Sequence, residues 1–179
     1  MATLSEQTVQ VWSNMDTLDG YLMKLDTSTY QSKTISSISW ELGNDGTASG
    51  NVTLGLYEIG SDPWTTRTLL HNFGTKAVPS ADNETVTFDT GSYTLSSSGA
   101  WAFLDISSVT NPDKLKVWGV DPSSDTPLPA AYDPWLQAYK VRTNDTIGDM
   151  STKWKYNIQS AAASSGGPLL PPPIAMVRL

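Results

Sequence analysis

The sequence contains no cysteine. Disulfides, thiolate nucleophiles and thiolate metal sites are thereby excluded together. The absence fits a reducing cytoplasm as well as a bacterial or viral surface protein that is stable without cross-links. Positive charge is also scarce. Eleven Lys and Arg stand against 18 Asp and Glu, for a formal net charge of -7. Nucleic-acid binders use Lys and Arg to displace counterions from phosphate, so a nucleic-acid partner is not expected. No apolar run approaches the ~20 residues that cross a bilayer, and no membrane partner is expected. The first residues, MATLSEQTVQVWSN, hold neither a basic stretch nor an apolar one, so the chain does not read as carrying a secretory signal. There is one histidine, His71. A His-based metal site or a Ser-His-Asp triad would have to use it, but beside Leu69 and Leu70 it reads more simply as structural. G-x-S-x-G, H-E-x-x-H and G-x-x-x-x-G-K-[ST] are all missing, which removes the common acyl-transfer, zinc and phosphate-loop chemistries. The chain is read as non-catalytic.

What is present points to β structure. The 179 residues include 21 Thr and 22 Ser but only 16% charged residues. Thr suits a pleated, half-buried surface and Ser suits turns. The length fits one domain that buries roughly 70% of the surface of its unfolded chain. Several segments alternate with period two, as a strand with one buried face does. Ile38, Trp40 and Leu42 share one face within 34–42, opposite Ser37, Ser39 and Glu41. Val52, Leu54 and Leu56 fall together within 51–59. Val86 and Phe88 alternate with Thr85, Thr87 and Asp89; Leu115 and Val117 with Lys114 and Lys116; Trp154, Tyr156 and Ile158 with Lys153, Lys155 and Asn157. Turn signals separate them: Gly43-Asn44-Asp45-Gly46, Asp89-Thr90-Gly91, 96–99, Asn111-Pro112-Asp113 and Asp121-Pro122. Short strands at this spacing predict a single all-β, antiparallel, jelly-roll-like sandwich. Residues 1–16 read as an N-terminal arm or edge strand, with Val9 and Val11 on one face, and 17–179 as the sandwich. Within the latter, 121–134 is a Pro-rich excursion, 161–173 an extended Pro-rich loop, and 174–179 the last strand.

The text ISSISWELGNDGTASGNVTLGLY at 35–57 resembles the jelly-roll domains of the choice-of-anchor R type, found in bacterial surface proteins and phage structural proteins. It shares their serine-flanked aliphatic strand, Gly-Asn-rich turn and alternating strand ending in Leu56-Tyr57. Leu69-Leu70, Val86-Thr87-Phe88, Tyr93-Thr94-Leu95 with Trp101-Ala102-Phe103-Leu104, Trp154-Lys155-Tyr156-Asn157 and Ile174-Ala175-Met176-Val177-Arg178-Leu179 resemble that family's later strands. The resemblance covers roughly residues 17 to 179 and consists of strand patterns. It therefore speaks to fold more than to function. The sorting signal and C-terminal anchor of the bacterial surface members are not found in this sequence. A virion is the context this implies, with the bacterial cell surface as the alternative.

Tryptophan is the most informative side chain, with seven copies. Trp40 and Trp154 follow the inward register, and Trp101 fits either face. Trp64 and Trp135 each close an Asp-Pro-Trp tripeptide in a loop, and Trp118 shares a face with Lys114 and Lys116. Trp64, Trp118 and Trp135 are the candidate contact or sugar-stacking residues, since aromatic side chains dominate interface hot spots. Such loop tryptophans also commonly fold back to cap a sandwich. Val9, Val11 and Trp12 in the arm and Pro171, Pro172 and Pro173 in the tail are candidate assembly contacts, because extended Pro-rich segments lose little entropy on docking. Asn44 and Asp45 with the carbonyls of their turn, or Asp121 and Asp125, offer oxygen ligands for a structural calcium. The spacing matches no EF-hand, and Asx residues in turns ordinarily bond their own backbone, so no cofactor is expected. Glycoside hydrolysis needs two carboxylates, for which Glu6, Glu41, Glu58 and Glu84 are the glutamates available. Glu41 and Glu84 read as lying on the polar faces of their strands, where a carboxylate is ordinarily solvated, and Glu58 is the one to check for burial. The leading expectation is a structural module of a phage-like virion, a capsid decoration or tail-associated protein. It would act through contacts with other virion subunits or with itself as a homo-oligomer such as a trimer. The alternative is a carbohydrate-binding or adhesion module that recognises glycans, and a glycoside hydrolase is the weakest reading.

Overall fold

Alternation of apolar residues with Ser and Thr produces strands in the computed structural model, which describes residues 2–6, 11–14, 18–26, 28–59, 68–120, 138–142, 147–149, 153–154 and 156–160, with side-chain surroundings for 20–26, 28–59, 68–117 and 158–160. In chain order the strands are β1 (Ala2–Glu6), β2 (Val11–Asn14), β3 (Leu18–Leu25), β4 (Thr34–Asn44), β5 (Asn51–Tyr57), β6 (Leu69–Ala77), β7 (Glu84–Phe88), β8 (Tyr93–Thr94), β9 (Ala100–Asp105), β10 (Leu115–Val120), β11 (Ala138–Arg142), β12 (Ile147–Asp149), β13 (Lys153–Trp154) and β14 (Tyr156–Ser160). A single turn of 3-10 helix, Pro112–Lys114, precedes β10. Among the described residues no helix is long and apolar enough to cross a membrane.

The strands form two antiparallel sheets. In sheet A, β4 is the longest strand and the organiser. One of its edges takes β14, through Trp40↔Tyr156 to Ile35↔Ser160, and then β10, through Leu42↔Val117 to Asn44↔Leu115. The other edge takes β7 and β8. Sheet B runs β12-β11-β3-β9-β5-β6. Trp40, the largest fully buried side chain, lies at 0% exposure with Ile38 and Leu42 on the inner face of β4. They meet Val52, Leu54 and Leu56 of β5, Tyr21, Met23 and Leu25 of β3, Phe73 of β6 and Ala100, Ala102 and Leu104 of β9 in one core. Burying a side chain of this kind stabilises by roughly 1.5–3 kcal/mol each. The fold is the all-β antiparallel sandwich that the alternation predicts.

Several details differ from the sequence reading. β4 continues through Gly43-Asn44, so the turn begins at Asp45. Lys114 belongs to the 3-10 turn and not to the alternation of β10. The stretch from Tyr93 to Leu104 is divided between sheets, because the turn ending at Gly99 crosses from β8 in sheet A to β9 in sheet B. Gly99 has φ +78, and a Cβ there would overlap the carbonyl oxygen of Leu25, so only glycine permits that crossing. β3, with the sequence LDGYLMKL, had no period-two signature to mark it. The last-strand expectation at 174–179, the loop 161–173 and the excursion 121–134 lie outside the described residues.

One long side of the sandwich is sutured where β6 passes β7. Thr90 N donates to Phe73 O at 3.1 Å, and Lys76 pairs with Asp89 at 3.1 Å. His71 Nε2 lies 2.9 Å from Thr90 O. Along the other side, sheet A is bordered by the N-terminal strands: β1 pairs with β14 and β2 with β10.

Candidate contact surface

The outer face of sheet B carries a second apolar layer. Leu22, Trp101 and Phe103 are 1%, 6% and 1% exposed and form their own cluster, with half-buried Tyr57 and Ile59 packed against it. Register explains the grouping. Leu22 of β3 stands opposite Phe103 of β9, which stands opposite Gly55 of β5; Lys24, Trp101, Tyr57 and Leu69 form the next row. Side chains on one face of neighbouring strands meet at these positions. The Phe103 ring needs room, and Gly20 on the flanking strand β3 provides it, while a Cβ at Gly55 would crowd Tyr57 and Leu69. A Cβ at Gly20 would come within 2.5 Å of the ring. Tyr57 meets Phe103 edge-on, with centroids 6.1 Å apart and planes at 69°. This is a favoured aromatic geometry.

At the rim of this layer, Lys24 Nζ lies 5.7 Å from the Trp101 ring centroid and 2.8 Å from Asp26. The ammonium thus sits over a π face while a carboxylate holds it. Leu69 is 51% exposed and continues the layer outward from Tyr57. Toward the opposite end the face turns polar, where Thr53 and Thr75 bond each other at 2.8 Å and Asp105 accepts from the Ser107 N–H and hydroxyl.

The outer face of sheet A has no such layer among the described residues. It is a ladder of hydroxyls: Ser39 with Thr87 at 2.9 Å, Thr34 with Thr94 at 2.7 Å, and Thr85 donating to Glu41 at 3.1 Å.

The polar candidates are occupied with structural tasks. Asn44 Oδ1 accepts from the N–H groups of Gly46 and Ala48, and its Nδ2 donates to the carbonyls of Ala48 and Pro79. The amide therefore holds the turn from both sides. Asp45 and Asp82 both pair with Lys116, at 3.2 and 3.4 Å. Loss of water from around the Lys116 ammonium pulls its pKa down, but the hydrogen bonds and charges of the two carboxylates outweigh this and hold it above 10.5. Among the described residues no group of three His, Asp or Glu is placed to hold a metal ion. His71 stacks against Tyr93 at 5.8 Å and meets Phe73 edge-on at 4.6 Å. Because a carbonyl only accepts, Nε2 carries the proton in its bond to Thr90. Glu58 is exposed, and its N–H donates to Thr68 O. Glu84 is also exposed, but it shares the inner register of Val86 and Phe88, opposite Leu42, instead of the polar face expected for it.

Of the singled-out aromatics, Trp101 belongs to the outer layer of sheet B and Trp40 to the core. Trp118 and Trp12 stand directly opposite each other where β10 pairs with β2, and Val11 stands opposite Gly119. Val9, Trp64, Trp135, Pro171, Pro172 and Pro173, like Asp121 and Asp125, lie outside the described residues. Leu22, Tyr57, Leu69 and Phe103 had not been singled out as surface-forming. The available signal was the unbroken apolar run AWAFL in β9, which leaves no face for solvent. Comparison of the chain with protein-family models, curated proteins and solved structures finds no match.

Proposed function

We propose that this protein is a non-catalytic structural module of a phage-like particle, a capsid decoration or tail-associated protein that works through protein–protein contacts. The observation that carries the reading is the apolar outer layer of sheet B, with Tyr57, Ile59 and Leu69 at its accessible margin. Leu69, 51% exposed and continuous with half-buried Tyr57 and the packed layer beside it, is the kind of apolar side chain that an interface covers. The virion context rests on the strand patterns at 35–57 and beyond, which resemble the choice-of-anchor R jelly rolls. The polar groups are spent on turns, corners and the hydroxyl ladder, which suits a scaffold.

Light scattering on the purified protein at several concentrations tests the reading. The expected result is a closed homo-oligomer, such as a trimer, whose mass holds on dilution, and Leu69→Lys is expected to weaken it. A monomer at every concentration, together with glycan binding that disappears on replacing Trp64, Trp118 or Trp135 by Ala, would overturn it in favour of a carbohydrate-binding module.

A further inference from the structure

We propose that Asp45-Gly46 is the site at which this chain isomerises to isoaspartate, and that Asn44 and Lys116 restrain the reaction. This chemistry is independent of the assembly reading above. Aspartate followed by glycine is the pairing most open to it, because no side chain on the second residue shields its nitrogen. Gly46 N attacks Asp45 Cγ and an N–Cγ bond forms. One carboxyl oxygen leaves as water, taking the amide proton and a proton from solvent, and a succinimide ring remains. Water then adds at one of the ring carbonyls. Opening at Cγ restores aspartate, whereas opening at the main-chain carbonyl of Asp45 leaves the chain running through Cβ and Cγ.

The sequence contains the dipeptide twice, at Asp19-Gly20 and Asp45-Gly46, and the fold treats the two differently. Asp19-Gly20 lies inside β3, where Gly20 pairs with Asp105 of β9 on one side and with Val141 of β11 on the other. A strand paired along both edges cannot close into a ring without breaking its ladders. Gly20 is also buried, and a Cβ built on it would overlap the Leu104 carbonyl. Asp45-Gly46 lies instead in the turn between β4 and β5. The Asp45 side chain is 59% exposed, and Gly46 is exposed with φ +115. A Cβ on Gly46 would meet nothing within 4 Å, so water and space are both at hand.

Two contacts hold this turn back. The Gly46 N–H donates to Asn44 Oδ1 at 3.0 Å, which engages the proton of the attacking nitrogen. Asn44 is itself fixed by its bonds to Ala48 and Pro79. Asp45 Oδ1 lies 3.2 Å from Lys116 Nζ, and the ion pair resists the rotation that brings Cγ to Gly46 N. Isomerisation adds a carbon to the main chain where the Asp45 N–H bonds Lys114 O at 2.8 Å, and it shifts the carboxylate that Lys116 holds.

The test incubates the full chain at near-neutral pH and digests it. Isoaspartate is assayed by methyl transfer from S-adenosylmethionine with an isoaspartyl methyltransferase, and sequencing locates each modified fragment. The expected result is isoaspartate at Asp45 and none at Asp19, with both sites modified when the chain is kept unfolded in guanidinium. Asn44→Ala is expected to speed the reaction at Asp45 about fivefold, the equivalent of one hydrogen bond of ~1 kcal/mol. Lys116→Met, which leaves the bonds of Asn44 in place, is expected to speed it by a smaller factor with Asp19 still unmodified. Modification of Asp19 in the Asn44→Ala protein would mean that this variant has unfolded, and Lys116→Met then decides. Equal modification of the two sites in the folded chain, or none at Asp45, would overturn the assignment. A rate at Asp45 unchanged by Lys116→Met and by a folded Asn44→Ala protein would overturn the restraint.

Discussion

The two outer faces of the sandwich are both made by antiparallel strands and differ in chemistry. On sheet A, the residues that point away from the core are Ser39, Glu41, Thr85 and Thr87, which bond one another across the strands. On sheet B the corresponding positions are Leu22, Trp101, Phe103 and Tyr57, which build a second apolar layer. Thus β4 is a strand with one wet face, whereas β9 is buried on both. The contrast separates two ways in which a strand can be stabilised. The first draws on one core and a polar ladder, and the second on packing above and below. It also sets the two faces differently toward water, because a hydroxyl bonded to its neighbour keeps lone pairs that water solvates, while Leu69 at the margin of the apolar layer is 51% exposed.

The largest effect that would sharpen this contrast is expected from Phe103→Ala. Removing a ring that is 1% exposed is expected to cost about 3–5 kcal/mol, read as a lower urea midpoint. A cost below that of a surface substitution would break the comparison. Gly20→Ala comes next. Its methyl group must push the Phe103 ring and the Leu104 carbonyl aside, and overpacking of this kind costs about 1–3 kcal/mol. Combining it with Phe103→Ala should recover part of that loss, since the ring is then absent, and a double-mutant cycle measures the recovery. On sheet A, Thr87→Ala removes one hydroxyl of the Ser39–Thr87 pair, for which about 0.2–1 kcal/mol is expected. A cost as large as that of Phe103→Ala would mean that the two faces are energetically alike.

The smallest effect concerns Lys116. Its folded-state pKa lies above 10.5, so its contribution is complete below the unfolded value and is lost as the pH rises through the folded one. Stability should therefore fall on the alkaline side, above about pH 10.5, and Lys116→Met should flatten that slope while leaving the profile near neutrality unchanged. An identical alkaline slope in the variant would remove Lys116 from the account.

Much of the fold was legible because period-two alternation records one buried face. Ile38, Trp40, Leu42, Val52, Leu54, Leu56, Val86, Phe88, Leu115 and Val117 all point where their spacing places them. The same rule was silent on β3 and β9, whose Gly-Tyr-Leu-Met and Ala-Trp-Ala-Phe-Leu runs bury both faces and leave no alternation to read. Glu84 was expected on the polar face although period two sets it with Val86 and Phe88; as a strand's first residue it keeps that inner register yet reaches solvent at the rim. The apolar outer layer of sheet B was correspondingly hard to see. Attention to tryptophans in loops overlooked Tyr57 and Phe103, whose significance lies in being opposite Trp101 and Gly55 across strands far apart in sequence.

By itself the sequence determined the class of fold, the inward residues of its singly buried strands and the absence of thiol chemistry, because those follow from local spacing and from which side chains are present. The tertiary structure alone decided that β8 and β9 belong to different sheets, that Gly20 makes room for the Phe103 ring, and that β1 and β2 border the strands β14 and β10. Each of these depends on which distant strands become neighbours, and strand pairing is a long-range choice that no local pattern contains.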